Sequence, residues 1–113
     1  MTMMIRPETL TATVTKIPTG LGNLYVTITE HEGKPFEVFC TLGKSGASIM
    51  AKAEVVGRMV SLALRFGIPI SDISKQLIDI SGSDPVAWKN TVIKSIPDAV
   101  GKLLREKYLG KES

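Results

Sequence analysis

The chain carries a single cysteine, Cys40, so no disulfide can form within it and nothing in its composition points to an oxidising compartment. No apolar run approaches the roughly 18 residues that would span a bilayer. The opening stretch MTMMIRPETL lacks the basic segment, apolar core and cleavage site of a secretory signal. The expected location is therefore cytoplasmic, with no membrane partner. Blocks of like charge are also absent: the net charge is +3 and the pI about 9.1, with lysine and arginine spread along the chain. A mild concentration at Lys102, Arg105, Lys107 and Lys111 reads as cations complementing a helix C-terminus. A nucleic-acid surface would show denser charge and more stacking aromatics. What is present is an ordinary globular composition, 43% apolar in 113 residues, enough for one hydrophobic core. No repeat, linker or low-complexity tract divides it, so residues 1–113 are expected to form a single domain.

The first third has the period of strands. Apolar and polar residues alternate over Leu10–Thr15. Leu24, Val26 and Ile28 alternate with Tyr25, Thr27 and Thr29, and Phe36, Val38, Cys40 and Leu42 form a third apolar set. The alternation is expected to bury the apolar set of each strand and leave the threonines facing water. Turn signals at Pro18–Asn23 and His31–Pro35 separate the runs, and connections this short predict a three-stranded antiparallel meander. The remainder has the period of helices. Ile49, Ala53, Val56, Val60, Ala63 and Leu64 form one stripe over about Ser48–Phe66, ended by Gly67 and Pro69. Gly57 interrupts that stripe at a cost of about 1 kcal/mol against alanine, which a close approach to the sheet would explain. A shorter helix is predicted over Ser71–Ile78. The stretch 81–85 reads as a loop that leads to Trp88, and Thr91–Ile93 reads as a short strand.

The stretch Ile93-Lys94-Ser95-Ile96-Pro97-Asp98-Ala99-Val100 starts the last helix. Ser95 is an N-cap, Pro97 falls in the first turn where its missing N–H costs nothing, and Asp98 stands three residues after Ser95, the spacing of a capping box. Val100, Leu103, Leu104 and Tyr108 form the apolar face of this helix. The fold class expected from these elements is α+β, with a three-stranded antiparallel sheet followed by about three helices in two layers.

The same stretch carries a family resemblance. The chain resembles the TSCPD domain, a small module named for Thr-Ser-Cys-Pro-Asp, in the version found towards the C-terminus of adenosylcobalamin-dependent (class II) ribonucleotide reductases. The matching pieces run in order along the sequence: Arg6–Leu10, Thr19–Ile28, Pro35–Phe39, Leu42–Gly46, Gly57-Arg58, Ser61–Arg65, Gln76-Leu77 and Ser95–Val100. Two features depart from the family pattern. Ile96 replaces the signature cysteine and Lys94 its threonine. The further cysteine that members often carry near Ile80–Ser83 is missing. Zinc takes three or four protein ligands, so one cysteine and one histidine cannot build a cysteine-type site. No metal ligand set and no catalytic residue can be assembled from this sequence.

The resemblance implies an accessory domain. The reductases' catalytic barrel, with its reactive cysteines and adenosylcobalamin site, has no counterpart here, so no cofactor is expected. The expected action is non-catalytic contact with a reductase subunit or with a second copy of the chain. An exposed sheet edge would favour a homo-oligomer. The beginning at Met1 and the charged end Lys111-Glu112-Ser113 are compatible with a whole small protein or with part of a larger one.

The second class of function is anion binding. Gly43-Lys44-Ser45-Gly46 leads into a helix N-terminus, which favours anions. Lys44, Ser45 and Gly46, with Arg58 and Arg65 on the helix that follows, are the candidates for a nucleotide or nucleic-acid site. The full phosphate-binding P-loop pattern fails, because Val38 stands where its first glycine belongs. Trp88 is the candidate anchor of a protein interface. Cys40, in phase with buried neighbours, reads as a core residue. His31 reads as a solvated turn residue.

Overall fold

The computed structural model describes residues 2–43, 46–82 and 84–110. Strands β1 (Thr11–Thr19), β2 (Gly22–His31) and β3 (Lys34–Leu42) form an antiparallel meander in the order β1-β2-β3. Helices α1 (Ala47–Arg65) and α2 (Ile70–Leu77) follow. A short hairpin of β4 (Val86–Trp88) and β5 (Thr91–Ile93) then leads into α3 (Ile96–Leu104) and a closing π-helical turn, Arg105–Leu109. The architecture is α+β. Among the described residues no helix is long and apolar enough to cross a membrane.

The alternation in β2 and β3 places Leu24, Val26, Ile28, Val38, Cys40 and Leu42 in the core. In β1 the phase is the reverse of the expected one. Ile17 is fully buried opposite Leu24, and Val14 is 63% exposed opposite Thr27. The odd-numbered residues of β1, mostly threonines, therefore face the core side. One isoleucine that reaches the core outweighs the smaller apolar set at even positions, because side-chain direction flips for the whole strand at once. Trp88 lies on β4 and not in a loop. The two residues after it, Lys89 and Asn90, make the turn of the β4–β5 hairpin, and its ring packs half-buried against the core.

Helix α1 closes the β3 edge. Val38 turns its backbone N–H and C=O away from β2, and Ser61 meets both: its Oγ accepts from Val38 N–H at 2.8 Å and donates to Val38 O at 3.0 Å. This side chain substitutes for a fourth strand and blocks pairing along that edge. The contact is close enough to require Gly57, since a Cβ there would stand 2.9 Å from Val38 O. The edge that favoured self-pairing in the sequence is thus occupied on the β3 side. Helix α3 is central. Ile96, Ala99, Val100, Leu103 and Leu104 are all buried, in one cluster with Ile17, Leu24, Ala53, Val60, Leu64, Ile73 and Ile93.

Candidate functional site

The start of α3 joins two loops that lie far apart in sequence. Ser95, in extended conformation, caps the helix: its Oγ accepts from Asp98 N–H at 3.1 Å and donates to Ile80 O at 2.6 Å. Pro97 occupies the first turn, where no intrahelical N–H is needed. In a reciprocal capping box the Asp98 carboxylate would return to Ser95 N–H. Here it accepts instead from Lys94 N–H at 2.8 Å and from Asp79 N–H at 2.7 Å. Asp98 is fully buried, and its charge is met by Lys102 Nζ at 2.9 Å, one helical turn on. Lys102 is itself buried and also donates to Val92 O. Gly82 N–H donates to Lys94 O at 2.7 Å, completing the link between the segment after α2 and the segment before α3. On the outer side, Lys94 Nζ lies 3.1 Å from Asp79, and this hydrogen bond and charge hold the Asp79 carboxyl below the usual carboxylate range.

These joined loops form one wall of a cleft of about 320 Å³. Ile80–Gly82 and Lys94–Pro97 lie on one side, the β1–β2 turn Thr19–Leu21 on another, and Lys52 and Val56 of α1 complete it with Asp84. The turn is held by Thr19, whose Oγ1 donates to Gly22 O at 2.7 Å and accepts from Leu21 N–H at 3.1 Å. Gly20 is required by the chain that crosses it: a Cβ there would stand 2.4 Å from Asp84 O. The buried Ile96 and half-buried Val56 give the cleft an apolar floor, and Leu21 and Ile80 are exposed beside them. The cleft can hold an apolar side chain and offers cations at Lys52 and Lys94. Among the described residues that line it there is no thiol or imidazole.

The residues proposed from sequence are distributed as follows. Lys44 and Ser45 lie outside the described residues. Gly46 is the N-cap of α1, extended and without a side-chain cap bond. By helical rise, Arg58 lies about 18 Å and Arg65 about 28 Å further along the axis, so the two arginines do not converge on Gly46. They share instead a cleft of about 240 Å³ with Met3, Phe39 and Leu62. Each arginine is engaged there. Arg58 bonds Glu54 at 3.3 Å, whereas Arg65 donates to Met4 O at 2.9 Å and stacks 5.3 Å from the Phe36 ring centroid. Trp88 carries Lys89 Nζ at 4.8 Å over its ring. Burial pushes the Cys40 thiol up to about 12, far from a nucleophile's range. No group of three or more His, Cys, Asp and Glu side chains that could hold a metal occurs among the described residues. Sequence reasoning missed Lys52, Asp79, Ile80, Lys94 and Lys102 as parts of this region. The available signal was the Asp98/Lys102 pair, two charges at i,i+4 inside an otherwise apolar helix.

Fold and cleft together define a small α+β domain. The chain belongs to the TSCPD domain family, whose model matches residues 1–108, nearly the whole chain. No curated protein and no solved structure matches it significantly. The family links the chain to ribonucleotide reductase-related proteins. The signature position Ile96 and the segment Ile80–Gly82, where members often carry their cysteines, meet in the same cleft.

Proposed function

We propose that this domain is a non-catalytic accessory module of the class II ribonucleotide reductase system and that it binds a reductase polypeptide in the cleft at the start of α3. One observation carries the reading. Segments that match the family, Thr19–Leu21 and Ser95–Pro97, converge on one apolar cleft although they are more than 70 residues apart. Two loops are fixed around that cleft by a buried carboxylate, so the surface is preorganised and binding requires little further ordering. Aliphatic and hydroxyl side chains at the cysteine positions favour packing over redox or metal chemistry. The domain needs no cofactor of its own in this reading; adenosylcobalamin would stay with the reductase barrel.

The test is calorimetric titration of the domain against the class II reductase encoded in the same genome, with Leu21→Glu and Ile80→Glu alongside. Both side chains are exposed, at 45% and 44%, so neither substitution should unfold the protein. Saturable binding, weakened about tenfold or more by either variant and little affected by salt, is the expected result. Absence of binding, or binding indifferent to both variants, would refute the reading. Steep loss of affinity with salt would direct attention to the Gly43–Gly46 loop and its anion chemistry.

A further inference from the structure

We infer that the solvent face of α1 is a homodimer interface on which the α1 of a second copy lies antiparallel. The helix is apolar on two sides. Its inner stripe, Ala53, Gly57, Val60 and Leu64, is buried in the core. On the opposite side Val55, Met59 and Leu62 recur at i, i+4 and i+7, the spacing of one helix face, and they are 58%, 60% and 46% exposed. Packing within the monomer accounts for the first stripe only. A helix whose outer face faced only water would carry polar residues there. Phe39 of the adjacent strand, 50% exposed, extends this face across the cleft it shares with Leu62. Single exposed apolar side chains are ordinary, but a continuous group of this kind marks a contact surface.

The charges beside the stripe select the occupant. Glu54 and Arg58 lie along one flank, bonded to each other at 3.3 Å. Consider two copies related by a two-fold axis that crosses the face between Val55 and Arg58. The helices run antiparallel, each flank meets the same flank of the other copy, and Glu54 falls within about 1.5 Å, along the axis, of the second copy's Arg58. Opposite charges then meet twice, once on each side of the axis. In a parallel two-fold pairing the same flanks lie on opposite sides of the seam, so Glu54 and Arg58 of one copy would not meet those of the other. The flank is thus self-complementary in one orientation, as an isologous interface requires. This surface is distinct from the reductase-binding cleft, which uses Lys52 and Val56 on the other flank of α1.

The test is sedimentation equilibrium of the whole chain from micromolar to millimolar concentration. The expected mass is twice the chain's 12.2 kDa. Met59→Glu is expected to give a monomer with unchanged circular dichroism and with the melting temperature that the wild type shows when diluted to monomer, since this side chain is 60% exposed. Glu54→Arg and Arg58→Glu should each weaken the dimer, and the double reversal should restore it. A wild-type chain that remains monomeric throughout overturns the inference, as does a dimer indifferent to Met59→Glu. If the chain is monomeric and Met59→Glu abolishes binding to the class II reductase, the face belongs to the reductase and the dimer is wrong.

Discussion

Replacing Asp98 by alanine removes the buried carboxylate that ties the N–H of Asp79, after α2, to the N–H of Lys94, before α3. Three contacts are lost together: the N–H of Asp79 at 2.7 Å, the N–H of Lys94 at 2.8 Å and the ammonium of Lys102 at 2.9 Å. The two N–H groups lie near the surface and can turn to water after local loosening. Lys102 cannot do so easily, because only 6% of it is exposed. Removing one partner of a buried ion pair costs about 3–5 kcal/mol, most of it the cost of the charge left behind. A domain of this size has about 5–15 kcal/mol in total. At roughly 4 °C per kcal/mol the melting temperature should fall by about 12–20 °C. Urea unfolding followed by Trp88 fluorescence and by circular dichroism measures the loss. Asp98→Asn keeps one acceptor oxygen and should cost less. Lys102→Met leaves the carboxylate with its two N–H donors, and the Asp98→Asn/Lys102→Met pair should cost less than the sum of the single changes. A loss below about 1 kcal/mol for Asp98→Ala would refute the argument, because it would mean that the carboxylate does not hold the two loops together.

Other expectations follow from the β3 edge and the core. Ser61→Ala leaves the N–H and C=O of Val38 unpaired and should cost about 1–3 kcal/mol by denaturant titration. Gly57→Ala should destabilise although alanine favours helix by about 1 kcal/mol, because a Cβ 2.9 Å from Val38 O forces α1 off the edge at a cost of about 1–3 kcal/mol. Cys40, with its thiol pushed up to about 12 by burial, should resist thiol reagents at pH 8 in the native state and react promptly in guanidinium. The same shift sets a pH trend: the folded thiol loses its proton later than the unfolded one. Its contribution is complete below about pH 9 and falls as pH rises towards 12, so stability should decline over that window.

Much of the fold follows from local pattern, because β2 and β3 bury one residue in two and α1 buries one stripe. The β1 phase was not legible. Valine and threonine are both good strand residues of similar size, and the deciding contact, Ile17 against Leu24, belongs to the sheet and not to β1. Ser95, Pro97 and Asp98 were legible as a helix start from spacing alone. The reach of Asp98 was not, since its partner Asp79 is 19 residues away and offers a backbone N–H that carries no side-chain signature. The cleft was invisible for the same reason, being made of four segments that only tertiary folding brings together. Arg58 and Arg65 lie beside one cleft on α1, and helical rise keeps them far from Gly46.

The central claim is that the cleft between Thr19–Leu21, Ile80–Gly82 and Lys94–Pro97 is where this domain meets a reductase polypeptide. Hydrogen–deuterium exchange of the domain with and without the class II reductase tests it most directly. The account predicts new protection at the amides of these three segments, with the solvent face of α1 unchanged. Protection confined to α1, or none at any amide under conditions where the reductase is in excess, would contradict it.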